Sequence, residues 1–324
     1  MKIAFLHSEN FFTSALLREF RPALAHHEVV EWIDRKGAPA FDFDVLLAMG
    51  NVGRELLLDQ HKLKLIQTAS DGYEEVDIDA ASELGIWVSY APADLTGNAT
   101  SVAEFAVLLL LGVARHLGEA LRSLQGDPVR SPTLNLSLSG KTVCIVGLGT
   151  IGQQLVDRLR PFGVKIVATD EHPENAVADV TAYPADQLKT AVAHADFVVL
   201  CVRASKENEN LINAAALASM KRGAVLVNIA RGMLIDEAAL VDAIKHGQIS
   251  AAGLDVLKNE PPDRQDPLLQ LSQVLVTPHI AGLTDLMLDG TARYISHVIE
   301  EFAAGKKPKS ILNSPEKPRR KLRG

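Results

Sequence analysis

Cysteine is nearly absent from this chain. Its 324 residues contain two, Cys144 and Cys201. Both lie in apolar runs, where a thiol behaves as a small hydrophobe. Two such residues build neither a disulfide framework nor a metal-spaced cluster, so no metal is expected and a reducing, cytoplasmic compartment fits. Long apolar runs are also missing. The longest, FAVLLLLGVA at 105–114, is about half of the roughly 20 residues a membrane span needs. The amino terminus, MKIAFLHSEN, turns polar too soon for a signal peptide. An excess of positive charge is missing as well. Lys and Arg total 33 against 40 Asp and Glu, a net charge of −7, which argues against a general nucleic-acid or membrane surface. The one basic stretch is the tail PEKPRRKLRG, 315–324, read either as a solvated, frayed end or as an anion-binding arm.

The chain is long enough for two domains. Short apolar runs predict strands at 3–6, 29–33, 44–49, 63–69, 86–89, 142–147, 164–170, 196–202, 224–230, 251–256 and 274–278. Most are apolar on both faces, as strands between helix layers must be. Helical patterns fall between them, for example at 11–25, 151–160, 211–219 and 236–246. This alternation predicts a doubly wound parallel sheet. From Ser101, which with Glu104 has capping-box form, one apolar helix is predicted to run to about Leu124. It would be roughly 35 Å long and buried on several sides, between domains or against another subunit.

GLGTIG, Gly147 to Gly152, is a G-x-G-x-x-G directly after a strand and before a helix. Gly147 allows the tight turn, Gly149 lets the backbone approach a pyrophosphate, and Gly152 lets helix and strand pack closely. Thr150 and Ile151 complete the loop. The following strand ends in Asp170, placed to accept hydrogen bonds from the ribose of NAD and, with Glu171, to repel the extra phosphate of NADP.

Three chemistry-bearing residues stand at strand ends in the same half. Arg231 follows AVLVN, Glu260 lies in KNEPP and His279 in TPHIAG. An arginine forks onto a carboxylate, a histidine donates or accepts a proton near neutral pH, and a carboxylate beside it favours the imidazolium. That set is what hydride transfer to a 2-keto acid requires. In open α/β sheets ligands bind at these carboxyl ends. Pro261, Pro262 and Pro278 stiffen the loops concerned.

The segments SDGYEEVD (70–77), NATSVAE (98–104), GLGTIG, MKRGAVLVNIARG (220–232), DEAAL (236–240), GLDVLKNEPP (253–262) and TPHIAG together resemble the D-specific 2-hydroxyacid dehydrogenase family over nearly the whole length. The resemblance implies a Rossmann-type domain over 96–284 and a smaller, flavodoxin-like substrate domain from 1–95 plus 285–324. The cleft would lie between them, and a homodimer would form around the helix that starts near Thr100. It implies that Arg231, Glu260 and His279 are catalytic and that Asp255 orients the nicotinamide carboxamide. The remaining cofactor contacts would come from Gly147, Gly149, Thr150, Ile151, Gly152, Asp170, Ala230, Arg231, His279 and Gly282. The loop Ser70, Asp71, Gly72 would join Arg231 in holding the substrate carboxylate. Tyr73 and Tyr90 read as pocket walls or as core tyrosines. There are departures. Ser70 replaces a common glycine, Asp71 puts a negative charge near an anion site, and Arg203 and Asn208 stand where the family usually has proline and threonine. The last pair makes Arg203 a candidate contact for the cofactor's phosphates. The activity implied is NAD-dependent reduction of a small 2-keto acid, with NADP the less favoured cofactor. The alternative is a dinucleotide-sensing, corepressor-like binding protein on the same fold. Formate chemistry ranks lower, because that branch carries glutamine where Glu260 stands.

Overall fold

The computed structural model describes residues 1–8, 11–33, 42–124 and 134–323. The chain forms two compact units, Met1–Asn98 with Leu283–Gly324, and Ala99–Gly282.

The first unit contains β1 (Lys2–His7), α1 (Phe11–Ala23), β2 (Glu28–Ile33), β3 (Val45–Ala48), α2 (Arg54–Leu58), β4 (Leu65–Thr68), α3 (Ile78–Glu83) and β5 (Trp87–Ser89). Its five strands are all parallel, in the order β2-β1-β3-β4-β5. That is the flavodoxin-like order. The four-residue β3 and β4 are buried throughout; β3 is apolar along its whole length, as a strand between helix layers must be, while β4 also buries Gln67 and Thr68.

The second unit contains α4 (Asn98–Ala114), α5 (Leu117–Leu124), β6 (Thr142–Val146), α6 (Thr150–Leu159), β7 (Lys165–Asp170), β8 (Val180–Pro184), α7 (Leu188–Val192), β9 (Phe197–Leu200), α8 (Ala214–Ser219), β10 (Ala224–Asn228), α9 (Glu237–Lys245), β11 (Ile249–Leu254) and β12 (Val274–Val276). The seven strands are parallel, in the order β12-β11-β10-β9-β6-β7-β8. The order reverses between β6 and β9, the switch point of a Rossmann sheet. The chain then returns to the first unit through α10 (Asp285–Ala303).

The structure departs from the sequence reading at five points. Strand β8 went unread because it is an edge strand with no fully buried residue and ends in Pro184. Helix α8 starts at Ala214, capped by the Asn213 side chain, and not at 211. The single long helix is two helices bent by 65°. His116 adopts a left-handed φ of 50° at the break, and the Leu136 N–H takes the Ala114 carbonyl. Ser101 does not stand at the start of the helix: Gly97, at φ 75°, turns the chain into α4 earlier, and Ser101 lies buried within the helix. No single helix among the described residues is long and apolar enough to cross a membrane.

The described part of the basic tail is not frayed. Residues 311–312 before it run beside the edge strand β5, with an antiparallel bridge from Ser89 to Ile311 and the Leu312 N–H donating to the Val88 carbonyl, and within the tail the Arg319 N–H donates to the Gly85 carbonyl. Arg319 donates to the Gln60 and Leu63 carbonyls. Arg320 donates to the Ala303 carbonyl and lies 5.3 Å from the Phe302 ring centre. Trp87 Nε1 donates to the Arg320 carbonyl. Gly324 lies outside the described residues.

Candidate active site

Strand ends β10, β11 and β12 of the second unit bring together Arg231, Glu260 and His279. His279 Nδ1 and Glu260 Oε2 are 2.7 Å apart, and both side chains are partly open, 48% and 36% exposed. The other Glu260 oxygen accepts from the Leu257 N–H at 3.0 Å. Burial acts to raise the Glu260 pKa. The His279 hydrogen bond and charge, the Leu257 N–H and the Arg231 charge outweigh it and bring the pKa below its ordinary value. The carboxylate therefore stays ionised beside the imidazole, and with Nδ1 committed, Nε2 is the imidazole nitrogen left to meet a substrate.

His279 has a left-handed φ of 54°. A non-glycine residue held there costs on the order of 1–3 kcal/mol. Asp255 supplies the restraint. It is 1% exposed; its Oδ1 accepts from Thr277 Oγ1 at 2.6 Å and the Ile280 N–H at 2.9 Å, and its Oδ2 accepts from the Ala281 N–H at 2.9 Å. Its backbone carbonyl takes the His279 N–H. Both carboxylate oxygens thus serve the loop that carries the histidine. Gly282 ends that loop, half-buried.

The turn that presents Arg231 rests on a residue not singled out from the sequence. Asn228, fully buried, accepts from the Ala230 N–H at 3.0 Å and donates to the Arg231 carbonyl at 2.9 Å. Arg231 Nη1 donates to the Ala230 carbonyl. Next to it, a Cβ on Gly232 would lie 2.0 Å from the Leu257 carbonyl carbon. The backbones carrying Arg231 and Glu260 are therefore in direct contact, which only glycine allows. The signal available in the sequence was a polar residue ending an apolar strand, followed by glycine.

The dinucleotide loop meets the stereochemical demands of a bound pyrophosphate. Gly147 has φ 99°, and a Cβ there would lie 2.7 Å from the Val202 backbone. A Cβ on Gly152 would lie 2.1 Å from the Gly147 carbonyl oxygen. A Cβ on Gly149 would meet no atom within 4 Å. Two glycines thus serve the polypeptide, and the middle one leaves space at the start of α6, where a helix N-terminus favours an anion. Thr150 is exposed and Ile151 half-buried there. Asp170 Oδ2 accepts from the Leu148 N–H at 2.7 Å and its Oδ1 from the His172 N–H at 2.9 Å. Each carboxylate oxygen has a further lone pair to offer a ribose hydroxyl.

The loop of Ser70, Asp71 and Gly72 belongs to the first unit, after β4. Asp71 turns its carboxylate to the Ala93 N–H at 3.0 Å, and Ser70 Oγ donates to the Gly72 carbonyl at 2.8 Å. Tyr73 and Tyr90 pack edge to face with ring centres 5.4 Å apart.

A flavodoxin-like unit and a Rossmann unit, the latter ending in an Arg, Glu and His set, define a dinucleotide-linked α/β protein. Residues 107–281 match the family model for the NAD-binding domain of D-isomer specific 2-hydroxyacid dehydrogenases. The chain is 36% identical over 285 residues to D-3-phosphoglycerate dehydrogenase from Methanocaldococcus jannaschii, covering 87% of this chain and 54% of that protein. It thus spans about half the length of the phosphoglycerate dehydrogenase relatives it matches. It is 35% identical over 308 residues to glyoxylate reductase from Thermococcus litoralis, covering 89% of this chain and 91% of that one. Among solved structures, it resembles an NADPH-dependent glyoxylate/hydroxypyruvate reductase from Sinorhizobium meliloti in complex with NADP and malonate. That match has a TM-score of 0.84 and 28% identity, covering 99% of each chain. The chain belongs to the D-isomer specific 2-hydroxyacid dehydrogenase family, and its second unit contains that family's NAD-binding domain.

Proposed function

We propose that the protein is an NAD-dependent oxidoreductase that interconverts a small 2-keto acid and the corresponding D-2-hydroxy acid. The reading is carried by one observation. A histidine held in left-handed backbone contacts an ionised glutamate at 2.7 Å, close enough to an arginine for that charge to act on the glutamate. The bound nicotinamide supplies the hydride that adds to the carbonyl carbon. Arg231 holds the substrate carboxylate and polarises the carbonyl. His279 donates its Nε2 proton to the carbonyl oxygen, and Glu260 keeps the ring oriented and its charge compensated. In the reverse direction His279 is the base that takes the hydroxyl proton.

In this reading the Ala99–Gly282 unit is the NAD-binding domain, and Met1–Asn98 with Leu283–Gly324 is the substrate domain. The backbone N–H groups of the 70–72 loop are offered to the substrate carboxylate. Asp71 weakens the anion site less than its charge suggests, because its carboxylate is committed to Ala93. Asp170 supports NAD over NADP. A cytoplasmic homodimer completes the reading. Its supports are two buried or half-buried cysteines without a disulfide and the exposed Leu108, Leu117, Leu121 and Leu124 on α4 and α5. The Arg231, Glu260 and His279 set argues against a purely dinucleotide-sensing role.

The test is consumption of NADH, and separately of NADPH, with glyoxylate, pyruvate, hydroxypyruvate and bulkier keto acids. Turnover with at least one small keto acid, faster with NADH, is expected. The His279→Gln protein should keep its NADH affinity and lose about 10²–10⁴-fold in kcat. No turnover with any keto acid, or near-normal turnover of the variant, would refute the assignment.

A further inference from the structure

A bound dinucleotide brings two negative phosphates to the glycine loop, yet GLGTIG carries no charged side chain. The helix N-terminus provides partial charge only. The acids near this rim, Asp170 and Glu171, add negative charge. Strand β9 flanks β6 at the switch point, and the pairing continues past the strand end, with the Cys201 N–H donating to the Val146 carbonyl. Val202 then packs against Gly147 so closely that a Cβ on the glycine would lie 2.7 Å from the Val202 Cα. The next Cα, ~3.8 Å further along, belongs to Arg203, which is exposed. Its backbone is pinned. Asn208 Nδ2 donates to the Arg203 carbonyl at 2.8 Å, and Asn208 Oδ1 accepts from the Ser205 N–H at 2.8 Å.

We propose that Arg203 is the side-chain cation of the cofactor site, closing on the pyrophosphate from the β9 side while the start of α6 holds it from the other. Asn208 holds the Arg203 backbone in place. The proposal rests on NAD binding at this loop and goes beyond it by naming the residue that supplies the counter-charge. A guanidinium suits the task because it forks onto phosphate oxygens and never loses its proton.

The experiment is titration of the full chain, as wild type, Arg203→Ala and Arg203→Lys, with NADH, ADP-ribose and adenosine, at low and high salt. Loss of the guanidinium should weaken NADH and ADP-ribose binding by roughly tenfold, with adenosine unaffected. Arg203→Lys should recover part of the loss, and high salt should shrink the difference. Unchanged NADH affinity in Arg203→Ala overturns the proposal. An equal loss for adenosine also overturns it, since the arginine would then act on the base. If the wild type binds none of the three, the NAD-binding reading itself fails, a result distinct from the other two.

Discussion

Replacing Asp255 with alanine separates positioning from chemistry in this site. The carboxylate lies outside the Arg231, Glu260 and His279 set, yet it accepts from Thr277 Oγ1, the Ile280 N–H and the Ala281 N–H. Removing it orphans one buried and one partly buried backbone donor. Each orphaned donor costs ~1–3 kcal/mol, with the exposed one at the low end, so the loss sums to about 2–4 kcal/mol. The restraint on His279 goes with it. A residue at φ 54° then relaxes toward ordinary backbone and releases up to ~3 kcal/mol of strain, which carries the imidazole away from Glu260. With the released strain of ~1–3 kcal/mol subtracted, the net loss in urea unfolding should be at most ~3 kcal/mol, and kcat should fall at least ~10²-fold, a misplacement effect. Asp255→Asn should fall between. Its amide oxygen still serves one edge of the loop, while its NH₂ faces an N–H on the other. Unchanged stability in Asp255→Ala with kcat near wild type would refute the argument that this carboxylate holds the histidine in place.

Three further substitutions test the remaining parts. Gly149→Ala places a methyl where no protein atom lies within 4 Å, at an ordinary φ of −62°. It should leave the melting transition nearly unchanged and weaken NADH binding. Gly152→Ala meets the Gly147 carbonyl oxygen at 2.1 Å and should cost about 1–3 kcal/mol of stability. If both variants destabilise equally, the division of labour between these glycines is wrong. Glu260→Gln should lower kcat by about 10²-fold while changing stability by less than ~1 kcal/mol, since the pair is partly solvated. The folded-state pKa of Glu260 is lowered. Its stabilising contribution is therefore present above the ordinary glutamate value of ~4.3 and is lost as pH falls through the lowered one. The stability gap between wild type and Glu260→Gln should hold from neutral pH to that range and close below it. A gap that widens with acid would contradict the direction of the shift.

Most of the architecture was legible because buried parallel strands announce themselves as unbroken apolar runs. The glycine spacing of GLGTIG carries its own stereochemistry in the same way. What escaped notice was set by neighbours far along the chain. Strand β8 lies at an exposed edge, where the pressure to be apolar is weak. The break at His116 depends on Leu136 capping Ala114, which no local pattern records. The basic tail reads as solvent-loving in composition, but Arg319 and Arg320 place donors on the carbonyls of Gln60, Leu63 and Ala303. In the site, Arg231, Glu260 and His279 could be singled out by residue type and strand-end position. The supports, Asn228 and the contact between Gly232 and Leu257, required knowing which loops touch.

The first unit is assembled from two segments that flank the second unit in sequence. Ile295, Val298, Ile299 and Phe302 of α10 share one core with Ile3, Phe5, Leu16 and Phe20, and residues 311–313 cover the rim of β5. On the ribosome, strands β1 to β5 therefore wait, with an uncovered apolar face and an unpaired edge, until the intervening nucleotide-binding unit has been translated. Newly made protein is most exposed to mispairing in that interval, and a nascent chain stalled after Gly282 would carry a finished Rossmann half tethered to an incomplete partner.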